Sequence, residues 1–128
     1  MLKRLLILIF TVLLTACSNI SNRPLEDRDR VILDTQLSQF KFHLKNGNID
    51  ELKPFFNNNL RNNYVLTELE NTDFTNIDIL YSKPIFTNNT AINTVAFLAN
   101  GNTVYFEITY KFLNNKWEII DIRQKGDK

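Results

Sequence analysis

The apolar residues of this chain change their spacing once, near Asn71, from the period of a helix to that of a strand. Before this point they recur at steps of three and four, which places them on one face of a helix; they are Leu33, Leu37, Phe40 and Leu44. Beyond it, β-branched and aromatic residues alternate with polar ones, as in strands with one buried face. Helices followed by strands predict an α+β domain with the helices packed on one face of an antiparallel sheet.

Two interruptions divide the helical half. The first helix is expected from Val31 and should end at residues 46–48, because Asn and Gly accept the left-handed conformation that closes a helix. Pro54 lacks the amide hydrogen that a helix interior requires, so we expect one short turn before it and a helix over 54–63. A further short helix is expected over 64–70.

The strand half predicts four strands, over residues 73–82, 90–99, 103–113 and 116–124. Residues 100–102 and 114–115, all Asn or Gly, have the chemistry of tight hairpin turns, so the last three strands should form an antiparallel meander. Even-numbered residues from Val104 to Phe112 share one strand face, expected to be core. The frequent Asn pairs are interpreted as exposed turn residues.

The beginning of the chain carries an export pattern. Lys3 and Arg4 precede an apolar run over residues 5–14. At 1.5 Å per residue this run is too short to cross a hydrocarbon core about 30 Å thick, and it fits the centre of a signal peptide. The run ends at Leu14-Thr15-Ala16-Cys17, which resembles the lipobox of bacterial lipoproteins. An ordinary signal peptide with a chance cysteine is the alternative.

The lipobox resemblance implies that the Cys17 thiol receives a diacylglycerol and that residues 1–16 are removed between Ala16 and Cys17. Two or three acyl chains, such as palmitate, would then hold the protein on a membrane. Ser18 stands where an Asp would retain a lipoprotein at the inner membrane, which favours the outer membrane, facing the periplasm, in a Gram-negative cell. Otherwise the outer face of the cytoplasmic membrane is expected. Residues 17–30 should form a lipidated tether, 31–124 the domain and 125–128 a tail. The tether ends in the charge-dense residues 26–30, and the alternative for these is the start of a solvated helix with Asp29 as its cap.

Charge and side-chain chemistry exclude several functions. Loss of Lys3 and Arg4 with the signal lowers the number of basic residues from 15 to 13, against 14 acidic ones, so no nucleic-acid partner is expected. Cys17 is the only cysteine and His43 the only histidine. The domain therefore offers no disulfide, no thiolate metal site and no multi-histidine site, and we expect no cofactor and no metal.

The order of elements resembles the nuclear transport factor 2-like superfamily, and in particular its small lipoproteins. The resemblance rests on two helices joined at residues 46–48 and on the closing Trp-bearing strand at residues 114–122. It implies a curved antiparallel sheet that encloses a cone-shaped pocket with the helices; a cystatin-like fold is the alternative. Members of the superfamily use this pocket for isomerase or dehydratase chemistry, for ligand binding or as a scaffold, so the fold alone does not assign a function.

Four aromatic residues at strand spacing could line such a pocket, although aromatic residues in strands more often form core; they are Phe97, Tyr105, Tyr110 and Trp117. His43 lies near the edge of the first helix's apolar stripe and is interpreted as structural. Asp78 alternates with apolar neighbours and should face outward. Asp121 should share its strand face with Trp117, and an ion pair with Arg123 is preferred to a catalytic role.

These features predict a membrane-anchored lipoprotein whose non-catalytic α+β domain binds a protein partner or an apolar ligand in the cell envelope. Two alternatives are an accessory subunit of a secretion or conjugation apparatus and an immunity or exclusion lipoprotein. A small isomerase-like enzyme is the alternative that the residues support least, because no convincing catalytic constellation accompanies the anchor.

Overall fold

A computed structural model describes residues 24–126 of the chain. The signal sequence, the lipobox and Cys17 lie outside the described residues. Within residues 24–126, no helix combines the length and the apolar character needed to cross a membrane.

The described chain is an α+β domain, as the change of spacing predicts, and it consists of three helices and one five-stranded antiparallel sheet. The strand order is β1-β3-β4-β5, and β2 pairs with the far end of β3 beside β1. The elements are α1 (Asp27–Lys45), a 3₁₀ helix (Ile49–Phe55), α2 (Leu60–Glu70), β1 (Asp78–Tyr81), β2 (Ile85–Thr87), β3 (Thr90–Ala99), β4 (Asn102–Leu113) and β5 (Lys116–Lys125).

Helix α1 begins at Asp27, four residues before the predicted domain boundary. Its first turn is closed by a capping box, in which the Glu26 amide donates to Asp29 Oδ2 at 2.9 Å. Asp29 is buried, and its carbonyl accepts the indole N–H of Trp117. The charge-dense residues 26–30 therefore start the helix and do not end the tether, as the alternative interpretation has it, but the cap is Glu26 and not Asp29.

The helix predicted over residues 54–63 is wrong. Pro54 lies inside the 3₁₀ helix, and the chain is extended at Phe56 before α2 begins at Leu60. Two interactions explain the break. The backbone N–H of Asn57 donates to Ile119 O at 2.9 Å, and the side chain of Asn59 caps α2, because its Oδ1 accepts from the backbone N–H of Asn62 at 2.9 Å. A contact with β5, distant in sequence, thus ends one helix and positions the next.

The predicted meander of β3, β4 and β5 is confirmed. Its turns use residues in the left-handed region, with φ of 53° at Asn100, 79° at Gly101, 52° at Asn114 and 63° at Asn115. Asn88, at φ 53°, turns β2 into β3 in the same region, so these asparagines occupy tight turns as interpreted. The strand expected over 73–82 is confined to β1, and β2 was not predicted.

The core lies between α1 and one face of the sheet. The four apolar residues at helical spacing are all buried there, against the core faces of β3, β4 and β5. Lys45 ties the end of α1 to the segment before β1, since its ammonium donates to the carbonyls of Phe74, Thr75 and Ile77 at 2.6–3.2 Å. The opposite face of the sheet, the outer face, is turned away from the helices.

Candidate functional site

The space between α1 and the sheet, where the superfamily pocket was expected, is filled with side chains. A cavity of only about 10 Å³ remains there. This is room for about one water molecule, whereas small-molecule sites commonly measure about 300–1,000 Å³. The lining residues are Leu33, Gln36, Leu37, Phe40, Phe55, Tyr110, Trp117 and Ile119.

Trp117 is a core residue. It is 1% exposed, and its ring packs against Phe112 and Phe86 at centroid distances of 5.1 and 5.6 Å. Its indole N–H donates to Asp29 O at 2.7 Å, so the polar edge of the ring is satisfied inside the protein. These contacts join the start of β5 to the first turn of α1.

Tyr110 is also buried, and its hydroxyl donates to Oδ1 of the buried Asn93 at 2.8 Å. Burial raises the pKa of the Tyr110 phenol above its ordinary value, and the hydrogen bond with Asn93 offsets this only in part. The phenol therefore stays protonated at neutral pH and serves as a fixed polar contact in the core.

The four aromatic residues proposed to line a pocket are not brought together. Tyr110 and Trp117 border the small cavity, while Phe97 packs against Phe74 and Phe106 at 5.7 and 5.6 Å. Tyr105 is about half exposed and lies on the outer face of the sheet. The aromatic residues of β3, β4 and β5 thus form core on one face and surface on the other.

His43 and Asp78, two titratable residues considered from the sequence, lie in different surroundings. His43 is half-buried, its ring lies 5.4 Å from that of Phe42, and its buried Nδ1 has no hydrogen-bond partner within residues 24–126. Asp78 is exposed, as its alternation with apolar neighbours predicts. Across the described part of the chain, no group of three His, Cys, Asp or Glu side chains is placed to hold a metal ion.

The strand face predicted for Asp121 is wrong, because β5 contains a bulge. Thr109 pairs with Asp121 and Tyr110 with Ile119, so Ile120 is an extra residue that reverses the alternation. Asp121 therefore faces away from the core side that Trp117 occupies.

The predicted ion pair of Asp121 with Arg123 is confirmed at 2.6 Å, and Arg61 of α2 adds a second at 2.8 Å. Desolvation opposes the charged form of Asp121. The hydrogen bonds and charges of Arg61 and Arg123 outweigh it and lower the pKa of this carboxyl.

The outer face carries a strip of exposed apolar residues, which we call the outer-face strip. Its members are 41–73% exposed: Leu80, Ile85, Ile92 and Tyr105. Cross-strand pairing places them in two rows, since Leu80 and Tyr105 flank Ala96 while Ile85 lies opposite Ile92. The paired Thr94 and Glu107 lie between the two rows on the same face. The strip thus spans β1 to β4 on the side of the sheet that the helices leave open.

The charged residues on the outer face include both signs. On β4 and β5, Lys125 lies 3.9 Å from Glu107, and Arg123 pairs with Asp121. Asp78 on β1 and Lys111 on β4 add one charge of each sign to this face, so it has no strong excess of either sign to attract an oppositely charged partner. A partner that gains free energy here must do so mainly by covering apolar surface.

One further residue with a defined role was missed from the sequence. Asn62 is fully buried, and its Nδ2 donates to Asn57 O at 2.7 Å and to Ile119 O at 2.9 Å. It covers the free edge of β5, as does Gln36, which exchanges hydrogen bonds with the Trp117 backbone at 2.9 and 3.1 Å. Nothing in the local sequence distinguishes Asn62 from the exposed asparagines around it.

Comparison with known proteins gives no relative: no family model, no curated protein and no solved structure matches this chain.

Proposed function

We propose that this protein is a lipid-anchored, non-catalytic binding domain of the bacterial cell envelope, which contacts a protein partner through the outer-face strip. The observation that carries the proposal is the contrast between the two faces of the sheet. The inner face is packed down to a cavity of about 10 Å³, whereas the outer face exposes four large apolar side chains. Apolar side chains that are grouped on one face of a domain favour its use as an interaction surface.

The same contrast favours a protein partner over a small apolar ligand. A ligand would need an enclosed pocket that buries most of its surface, and the space between α1 and the sheet offers room for about one water. A strip spread across four strands has instead the shape of a surface that a second folded surface can cover.

The non-catalytic assignment is supported by the contacts of two titratable residues of the sheet. Tyr110 is bonded to Asn93 inside the core, and Asp121 is held between Arg61 and Arg123. Each of these groups has a structural partner, which accounts for its position without a substrate.

The proposed anchor is the lipid on Cys17. Because α1 begins at Asp27, ten residues, 17–26, connect that cysteine to the domain and reach at most about 35 Å when fully extended. The domain would therefore work close to the bilayer, at the outer membrane facing the periplasm in a Gram-negative cell and otherwise on the outer face of the cytoplasmic membrane.

We also propose that the domain is an abbreviated member of the nuclear transport factor 2-like superfamily. The support is the order of helices before a meander, with α1 packed against the sheet. In this version the conical space has been filled by core side chains. An accessory subunit of an envelope machine and an immunity or exclusion lipoprotein are two roles that such a domain would serve.

Site-specific photocrosslinking of the full chain in cells tests the proposed surface. A benzoylphenylalanine at Ile92 or Tyr105 should give discrete adducts heavier than the protein itself, because both side chains lie in the outer-face strip. The matched control position is Thr35, which is exposed on α1. Ile85→Asp, on the same face, should abolish the adducts without lowering the amount of protein in the membrane fraction.

Three results would contradict the proposal. They are equal adducts from the Thr35 position, no adducts from the outer face, and an adduct made only of two copies of this chain.

The alternative of an apolar ligand is tested by fluorescence, because Trp117 is the only tryptophan and borders the cavity. An apolar fluorescent probe should not quench Trp117 emission in a saturable manner, and saturable quenching would favour an apolar ligand.

A further inference from the structure

A second surface feature lies away from the sheet face, in the angle between the 3₁₀ helix and α2. It is an open groove of about 330 Å³, at the small end of the range for ligand sites. Phe56 and Leu66 supply its apolar part, and the other lining residues are polar: Lys53, Asn57, Asn58, Asn63, Thr67 and Glu70.

Three amide groups in the groove have unused hydrogen-bonding capacity. Asn63 Nδ2 donates to Asn58 Oδ1 at 3.2 Å, and Asn57 Nδ2 donates to Glu118 Oε2 at 3.2 Å. Within residues 24–126 this leaves the oxygens of Asn57 and Asn63 as acceptors and the amide nitrogen of Asn58 as a donor. The groove thus presents donors and acceptors side by side.

The backbone that carries these amides is fixed by hydrogen bonds. The buried Asn62 side chain donates to Asn57 O, and the backbone N–H of Asn57 donates to Ile119 O. Asn59 caps α2 in the same segment. A ligand would therefore meet a preformed arrangement and would not have to order the chain, which favours binding.

The groove has one ammonium group, and two carboxylates share it. The Lys53 ammonium lies 2.8 Å from Asp50 and 3.5 Å from Glu70, and the hydrogen bond and charge of Asp50 raise the pKa of Lys53. A single ammonium shared by two carboxylates leaves no positive charge for an anionic ligand. The amides remain as the groups available for recognition.

From this combination we infer that the groove binds an uncharged saccharide unit. Sugar hydroxyl and acetamido groups both donate and accept hydrogen bonds, which matches neighbouring amide oxygens and nitrogens, while the C–H face of a sugar ring matches the apolar part supplied by Phe56 and Leu66. The volume accommodates a short unit. This inference is independent of the outer-face strip, which lies on the sheet.

The test is a nuclear magnetic resonance titration of the ¹⁵N-labelled full chain in a non-glycosidic detergent, with N,N′-diacetylchitobiose and with maltose as probes. Binding should be saturable with a Kd on the order of 1 mM, as for a small ligand held by a few hydrogen bonds. The shifted amide signals should belong to residues 53–70.

Matched variants locate the site. Asn58→Ala and Asn63→Ala should each weaken binding about tenfold, the effect of losing one good hydrogen bond. Both residues are exposed, so the fold should be retained, and unchanged melting would verify this. Asn102→Ala, at an exposed asparagine at the start of β4, is the control and should leave the affinity unchanged.

The inference is overturned if neither saccharide gives saturable shifts, or if the shifts fall outside the groove. It is equally overturned if triglycine amide produces the same shifts with higher affinity, because the groove would then recognise peptide groups. Crosslinking from the outer-face strip is unaffected by any of these results, so the two proposals fail separately.

Discussion

Replacement of Trp117 should destabilise the domain more than replacement of any exposed aromatic residue. The side chain is 1% exposed and packs between two phenylalanines, so Trp117→Ala should lower the free energy of unfolding by about 3–5 kcal/mol. That is a large share of the 5–15 kcal/mol typical of a domain. The upper part of the range is expected, because the indole N–H bond to Asp29 O is lost as well.

Trp117→Phe separates packing from hydrogen bonding. An aromatic ring is retained, and Asp29 O still accepts its backbone hydrogen bond within α1. Losing the indole hydrogen bond should therefore cost about 1 kcal/mol, and the smaller ring should cost a similar amount. Tyr105→Ala is the matched control, because Tyr105 is about half exposed on the outer face, and it should change stability by at most about 0.5 kcal/mol.

The measurement is equilibrium urea unfolding of a soluble form that begins at residue 24, followed by far-ultraviolet circular dichroism because the variants lack the only tryptophan. A cost below about 2 kcal/mol for Trp117→Ala would refute the assignment of Trp117 to the core. A Trp117→Phe variant as unstable as Trp117→Ala would show instead that the indole hydrogen bond dominates.

Four further outcomes are expected. Cys17→Ala should abolish incorporation of a fatty-acid probe in cells, and equal labelling of both proteins would refute lipidation. The soluble form that begins at residue 24 should melt cooperatively at a temperature unaffected by chelator or reductant, since residues 24–126 contain no cysteine and no cluster of side chains placed to hold a metal ion; a shift with chelator would contradict this. Burial raises the pKa of Tyr110 above the ordinary value of about 10, so above that pH the folded state keeps a proton that the unfolded state loses. The contribution of Tyr110 to stability should therefore be complete below about pH 10 and fall as the pH rises further. Absorbance at 295 nm, which follows ionisation of the phenol, checks this. Tyr110→Phe should remove the loss of stability at alkaline pH, but it should lower stability at neutral pH by about 1–3 kcal/mol because Asn93 Oδ1 loses its partner. His43→Ala should cost about 1 kcal/mol or less in the same urea experiment, as its Nδ1 makes no hydrogen bond within residues 24–126, and a larger loss would reveal a role for the ring in the core.

The sequence predicted the elements whose causes are local. The four apolar residues on one face of α1 and the bounds of β3 were correct, because hydrophobic spacing over ten or more residues is a strong signal. The hairpin turns were also correct, since Asn and Gly accept positive φ wherever they occur.

The errors arose where a distant contact overrode the local pattern. The break after the 3₁₀ helix depends on hydrogen bonds to Ile119, and the side on which Asp121 lies depends on the bulge at Ile120. No spacing rule within β5 reveals an extra residue, because a bulge is defined by what the partner strand places opposite it.

By itself, then, the sequence determined the α+β order, the meander and the apolar face of α1, since each follows from conformational preferences and periodicity within a short segment. Only the tertiary structure decided which face of the sheet is filled and which is exposed. It buried Asn62 among exposed asparagines, separated Tyr105 from Tyr110 and Trp117, and reduced the expected pocket to about 10 Å³. The physical reason is that burial and cavity volume are set by how side chains from elements far apart in sequence meet, and close packing leaves little free space between them.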